Sequence, residues 1–263
     1  VSATNALALL RRAGLEIEGR LVAASNTTLY CRLVDESLAA ASACVYKPVA
    51  GERPLWDFPT GTLAAREVAA FEVSEATGWG LVPPTVLRDG PFGPGMCQLW
   101  MDHDDDLELV DVVRRGQPAA GWLHVVDAHD AVGDEVMLVH ADDDDLRRTA
   151  VLDVVINNAD RKAGHLLPTP GGLRVVDHGV TFHVEPKLRT VLWGWAGTPL
   201  RVEELAVLEQ LQNRLDADLR ATLLELLAPA EVAATIRRIE RLLTAERLPD
   251  PVHGWRELPW PPF

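Results

Sequence analysis

The sequence predicts an α+β protein of two lobes: a β-rich N-terminal lobe over residues 1–101 and a mainly helical C-terminal lobe over residues 102–263. Three observations carry this. Strand-like segments fill the first hundred residues around one helix-like insert. An acidic run follows at residues 102–106, and Leu-rich segments of helical period occupy the last quarter. The 263 residues suffice for two lobes, each with its own core.

In chain order, residues 3–13 read as an amphipathic helix closed by Gly14. Residues 15–22, 27–34 and 43–49 alternate or are β-branched and predict three antiparallel strands, the first two joined at Ser25-Asn26-Thr27-Thr28. A Pro- and Gly-rich loop follows, with Trp56 and Phe58 expected to anchor it. Residues 63–77 predict a helix with an apolar stripe of Leu63, Val68, Phe71 and Val73 and a stop at Gly78. Extended chain at 82–87, a turn at Asp89-Gly90 and a returning strand at 95–101 complete the first lobe. Beyond 102 the chain is expected to be helical. Asp142 to Asp145 would cap a helix at 146–156, and further helices are expected at 202–211, 216–227 and 231–246. The Pro-rich tail is expected to lie extended, held by Trp255 and Trp260.

The net charge of −14 disfavours nucleic acid and anionic membranes as partners. No apolar run is long enough to span a bilayer, so no integral membrane association is expected. Cys31, Cys44 and Cys97 are odd in number, lack CxxC spacing and read as reduced buried thiols in a cytoplasmic protein.

The stretch most suggestive of chemistry is LDVVINNADRKAGHLLPTPGGLRVVDHGV, residues 152–180. Asp160 follows a helix-like apolar run, placed to accept a proton from, or orient, a hydroxyl nucleophile. Asp177 ends a strand and precedes His178-Gly179, a setting that suits a Mg²⁺ ligand. The Pro-Gly-Gly turn between them predicts a hairpin. Upstream, Lys47 ends a strand, where it needs an anionic partner if it faces a cleft, and Glu67 on the next helix is a candidate. The local pattern equally allows an exposed edge lysine and a surface glutamate. Two carboxylates, a lysine and a metal are the parts phosphoryl transfer requires.

The order VYKP, helical RE, VPPT, NNADRxxxH and VVDHG resembles the kinase-like superfamily that holds type II phosphatidylinositol 4-kinases, HipA-type kinases and secretory-pathway kinases. It is most similar to an actinobacterial family of phosphatidylinositol 3- and 4-kinase-like proteins, over roughly residues 21–182. The resemblance implies a bilobal protein-kinase-like fold and the cofactors ATP and Mg²⁺ (or Mn²⁺). It makes Lys47 the phosphate-contacting lysine, Glu67 its ion-pair partner, Asp160 the catalytic carboxylate and Asp177 the metal ligand. Ser25, Asn26 and Thr27 would cover the phosphates, and the backbone of Gln98, Leu99, Trp100 and Met101 would read adenine. The chain departs from the pattern at His165, where such kinases carry an asparagine. His165 is carried as the second metal and cofactor ligand, although imidazole suits Mg²⁺ less well.

Four functions follow as expectations: a kinase of a protein hydroxyl or of itself, a lipid kinase, a nucleotide-binding pseudokinase, and a metal hydrolase built on His124, His129 and His140 or on His165, His178 and His183. The acidic charge and the lack of a basic amphipathic helix favour a protein acceptor over lipid. Arg161-Lys162 would either neutralise phosphate or be solvated. Trp193 and Trp195 are expected to pack between elements.

Overall fold

The computed structural model describes residues 3–21, 26–35, 42–104, 106–251 and 257–263. The chain opens with α1 (Ala3–Arg12) and a five-stranded antiparallel sheet in the order β1-β2-β3-β5-β4. Its strands are β1 (Gly14–Arg20), β2 (Leu29–Val34), β3 (Ser42–Pro48), β4 (Thr85–Gly90) and β5 (Gly93–Leu99). Side chains alternate across a strand, so the sheet has two faces of different use. One face gathers Leu29, Cys31, Leu33, Cys44, Tyr46, Val86 and Cys97 under Leu9 and Leu10 of α1. The three cysteines, far apart in sequence, are neighbours here, and all are buried and free. The Cys44 thiol and then burial push the Cys31 thiol far above its ordinary range, which leaves it inert. The other face presents Lys47 and Met96, and Met96 packs against Ala64 and Val68 of α2 (Leu63–Thr77).

The helix α2 is buried on nearly every side rather than along one stripe. It lies under the sheet and also packs against two C-terminal helices. Its first N–H groups, on Leu63 and Ala64, donate to the Glu52 carboxylate, and Gly78 closes it in the left-handed region at φ 72°. The β4–β5 turn is Pro91-Phe92, not Asp89-Gly90, since Gly90 still pairs with Gly93. The left-handed φ of 89° that the hairpin needs falls on Gly93.

The segment after 102 departs from the expected helical lobe. Residues 110–141 form a three-stranded antiparallel sheet in the order β6-β8-β7, from β6 (Val110–Arg114), β7 (Trp122–His129) and β8 (Glu135–Ala141). Runs such as VDVVR and EVMLVHA are rich in β-branched residues, which fit a pleated, half-buried surface.

The acidic run does cap the next helix, α3 (Asp144–Ile156). The Asp143 carboxylate accepts from the N–H groups of Asp145 and Leu146. After α3 come the hairpin β9 (Leu166–Thr169) and β10 (Gly172–Val175), turned at Pro170-Gly171. Then follow α4 (Val202–Leu215), α5 (Asp218–Leu226) and α6 (Pro229–Ala245). One apolar core joins α2, α3, the hairpin and these helices through Phe71, Leu152, Leu173, Leu211, Leu223 and Ile239.

Hydrogen bonds to its backbone carbonyls hold the described part of the tail. The carbonyl of Glu257 accepts from Thr190 N–H and Trp193 Nε1, and the carbonyl of Pro262 accepts from Ala163 N–H. Trp260 is 88% exposed, and Trp255 lies outside the described residues. Of the loop aromatics, Phe58 is buried, whereas Trp56 is exposed and takes the Lys187 ammonium over its ring. None of the described helices is long and apolar enough to cross a membrane.

His140 ties β8 to the 3₁₀ turn at Trp193–Trp195. Its Nδ1–H donates to the Ala141 carbonyl at 2.8 Å and its Nε2 accepts from Gly194 N–H at 3.0 Å. Both nitrogens are used by the neutral ring, and burial pushes its pKa from 6.5 down to about 4. Below 6.5 the unfolded chain therefore takes up a proton that the folded chain refuses. Stability is unaffected by this group above pH 7 and falls as pH drops from 6.5 towards 4. Melting curves across that window are expected to show a shallower loss for His140→Phe than for the wild type. Parallel curves would contradict the assignment.

Candidate active site

Three elements deliver three charges to one point. Lys47 comes from β3, Glu67 from α2, and Asp177 from the chain just after β10. Lys47 Nζ lies 2.6 Å from Glu67 Oε1 and 2.9 Å from Asp177 Oδ1. Burial works against the charge on Lys47, but Asp177 and Glu67 outweigh it and hold the amine above its usual range. The same ammonium, against the pull of burial, keeps the Asp177 carboxyl well below the usual carboxylate range. Glu67 is almost fully buried, whereas Asp177 keeps half its side chain open. Asp177 also has φ 63°, a costly conformation for a non-glycine residue that its surroundings must enforce.

Those surroundings are a buried polar scaffold. Asp153 of α3 is fully buried and receives the Arg161 guanidinium in a fork, with contacts of 2.9 Å to both carboxylate oxygens. Arg161 then donates to the Val176 carbonyl at 3.0 Å and to His178 Nε2 at 2.7 Å, gripping the chain on both sides of Asp177. Arginine can only donate, so His178 Nε2 is an acceptor and the ring proton sits on Nδ1. Among the described residues that Nδ1 is buried without a hydrogen-bond partner, 3.8 Å from Glu67 Oε2, which already accepts from His178 N–H at 2.8 Å. Burial and then Arg161 keep the ring neutral by pushing its pKa well below 6.5.

Asp160 is set by the same scaffold. Asn157 ends α3 in the left-handed region, and its side chain holds the carbonyls of His183 and Glu185 and the N–H of Lys187. Asn158 donates to Asp153 at 2.9 Å and accepts from Asp160 N–H at 3.0 Å. The Asp160 carboxylate stands 3.3 Å from Lys162 Nζ. Burial raises its pKa, with Lys162 pulling the other way. A partly desolvated carboxylate on a fixed backbone is suited to orienting a hydroxyl or taking its proton.

His165 lies beside Asp177, with Nε2 3.4 Å from Oδ2. Its Nδ1 accepts from Lys162 N–H, so the neutral ring carries its proton on Nε2, facing the carboxylate. In that tautomer the nitrogen nearest Asp177 has no lone pair for a cation. This departs from the expected ligand role: Asp177 offers a hard oxygen donor that fits Mg²⁺, and His165 offers Asp177 an N–H. Burial holds His165 near pKa 4. Among the described residues no three His, Cys, Asp or Glu side chains form a preformed metal cage, and His124 pairs with Asp127 instead.

Other expected residues fall as follows. Ser25 lies outside the described residues. Asn26 Oδ1 accepts from Arg53 N–H and Thr27 N–H donates to the Gly51 carbonyl, so the β1–β2 connection rests on the turn after β3. The N–H groups of Leu99 and Trp100 donate to Pro84 and Ala43, and both amides are thereby taken from any base. Gln98 is buried within β5, and Met101 follows the strand. Arg161 is neither solvated nor aimed at phosphate, because Asp153 takes it inward.

Sequence reasoning missed the parts that Asp153 and Arg66 play in the site, and gave Arg161 and His178 other roles. A signal existed for the first: a lone acid within the apolar run LDVVI needs a buried partner. Arg66, beside Glu67, is fully buried and donates to the Thr181 carbonyl and to Glu231 of α6, both at 2.6 Å. It thereby fastens α2 to the chain that follows Asp177.

Arg161→Met is expected to cost about 3–5 kcal/mol in denaturant unfolding, because it strands the Asp153 charge. Adding Asp153→Leu should restore most of that. A single-variant loss under about 1 kcal/mol would show that the pair is not a structural support.

A five-stranded antiparallel sheet with one helix beneath it, a lysine–glutamate pair joining them and a helical lobe carrying the loops together form a protein-kinase-like fold. No protein-family model matches the chain. Protein Rv2133c of Mycobacterium tuberculosis is 48% identical over 267 residues, covering 97% of this chain and 95% of that protein. Among solved structures, the Helicobacter pylori proinflammatory kinase CtkA is similar at TM-score 0.42 and 10% identity, over 90% of this chain and 94% of that one. A likeness that distant assigns neither activity nor substrate.

Proposed function

This chain belongs to the family of Protein Rv2133c, and from the geometry of its own site we propose that it is an ATP-dependent phosphotransferase. The observation that carries the reading is the meeting of Lys47, Glu67 and Asp177 within 2.9 Å contacts at a half-open point between β3, α2 and the β10 loop. A lysine held between two carboxylates is already oriented, and its ammonium can hold phosphate oxygens.

In this reading, the lobes divide near residues 101 and 102. Lys47 holds the nucleotide phosphates and Glu67 fixes its direction. Asp177 would hold Mg²⁺, which supplies charge neutralisation at the phosphates when bound. His165 steadies Asp177 by its Nε2–H. Asp160, kept partly desolvated, orients the acceptor hydroxyl and takes its proton as the new phosphate ester bond forms. Asn26 and Thr27 cover the phosphates from the β1–β2 connection. The acceptor is a protein hydroxyl, on a partner or on this chain, since the net charge of −14 opposes an anionic lipid surface. The three buried free thiols fit a reducing compartment such as the cytoplasm. A phosphatidylinositol kinase, as in the family that the motifs resemble, is the competing acceptor class. The His165 tautomer favours a second reading, a nucleotide-binding pseudokinase.

With Mg²⁺, ATP at about 100 times its Kd is expected to raise the melting temperature by roughly 5–10 °C. Asp177→Ala should remove the rise. Asp160→Asn should keep ATP binding and slow transfer of labelled γ-phosphate by about 10²–10⁴-fold. Absence of any ATP-dependent shift would falsify both nucleotide readings. Binding without transfer to protein, to itself or to phosphoinositide vesicles selects the pseudokinase.

A further inference from the structure

Resting on that reading of the cleft, we propose that the Gln98 side chain selects the base of the nucleotide, accepting a hydrogen bond from a 6-amino purine and disfavouring a 6-oxo purine. Backbone groups were expected to read the base in this stretch, but the Leu99 and Trp100 amides are committed elsewhere. The side chain of Gln98 is committed at its Nε2 end only, to Thr85.

Its placement follows from register. Lys47 pairs with Met96, and Val45 pairs with Gln98. Directly opposed residues share a face, and alternate residues along a strand return to it. Lys47, Val45, Met96 and Gln98 therefore line the same face, opposite the one that α1 covers. Gln98 stands about 7 Å beyond Met96, away from the Lys47 end and towards the chain that leaves β5. In the proposed pose the phosphates meet Lys47 and the base lies in that direction. Val45, partly exposed, gives the base an apolar surface there.

The orientation of the amide is fixed by Thr85. The Thr85 hydroxyl has one proton, and it goes to the Pro83 carbonyl at 2.7 Å, which can only accept. Towards Gln98 the same oxygen can therefore only accept, and the atom 2.9 Å away must be the Nε2 donor. The other end of the amide, Oε1, points away from Thr85. Among the described residues no donor is bonded to Oε1, and the residue as a whole is 4% exposed. Gln98 thus presents an acceptor of fixed direction on the Lys47 face.

A 6-amino group donates and is matched. A 6-oxo group accepts and is not. Turning the amide over would set Oε1 against Thr85 Oγ1, and relief by rotating the hydroxyl would strip the buried Pro83 carbonyl of its donor. Leaving one buried polar group unmatched corresponds to a discrimination on the order of 10- to 100-fold.

The test is competition against a fluorescent ATP analogue on the full chain with Mg²⁺, using ATP, inosine triphosphate and GTP. Inosine triphosphate changes the 6-position without adding a 2-amino group. The wild type is expected to bind ATP about 10- to 100-fold more tightly than inosine triphosphate or GTP. Thr85→Val removes the group that orients the amide, and Gln98→Leu removes the acceptor. Each should bring the ratio to within about threefold of unity. Equal wild-type affinity for ATP and inosine triphosphate overturns the assignment and needs no variant to fold. A ratio unchanged in both variants overturns it as well. If no nucleoside triphosphate binds, the kinase reading fails first and takes this assignment with it.

Discussion

The structure depends on a buried charge balance centred on Lys47. An ammonium in a largely desolvated cleft is tolerated only if anions surround it, and two do, at 2.6 and 2.9 Å. Each anion belongs to a different part of the chain. Glu67 ties the sheet to α2, and Asp177 ties it to the loop after β10. Glu67 also receives His178 N–H, so the two carboxylates are coupled through backbone as well as through the lysine. Moving α2 away would leave the Glu67 charge buried without the lysine.

Beneath this lies a second, fully buried pair, Asp153–Arg161, which contributes shape rather than reactivity. The remaining N–H groups of Arg161 are spent on the Val176 carbonyl and His178, the two positions flanking Asp177. This explains how Asp177 is held at φ 63° without a glycine. Arg66 plays the matching part for α2. It joins the residue before Glu67 to Glu231 and to the Thr181 carbonyl while its guanidinium lies 4.9 Å from the Phe58 ring. The helix that carries Glu67 is thus fastened at both ends of its working face, to the sheet above and the helices below. A swing of α2 would have to break a buried ion pair.

Much of this was legible in the sequence, for local reasons. The strands around Lys47 and the helix at 63–77 follow from alternation, from helical content and from Gly78, all short-range signals. The loop residues Asp160 and Asp177 stood out because polar groups followed apolar runs. The sheet at 110–141 was not legible, since short apolar runs between polar segments suit helix and strand alike. The inward turn of Arg161 was hidden because its partner is set by how α3 meets the hairpin. The exposure of Trp56 and Trp260 shows the limit of treating large aromatics as anchors. Whether a tryptophan is buried depends on what the rest of the chain places over it. The tautomer of His165 likewise rests on one backbone N–H, of Lys162, which no residue pattern reveals.

The central claim is that Lys47 and Glu67 act as one unit that receives nucleotide phosphates. A double-mutant cycle on ATP affinity measures this directly, using Lys47→Met, Glu67→Gln and the pair. The account predicts that each single change weakens binding and that Glu67→Gln adds almost nothing once Lys47 is gone, a coupling on the order of 1–3 kcal/mol. Losses that simply add would mean that the glutamate does not act through the lysine, and would contradict the account.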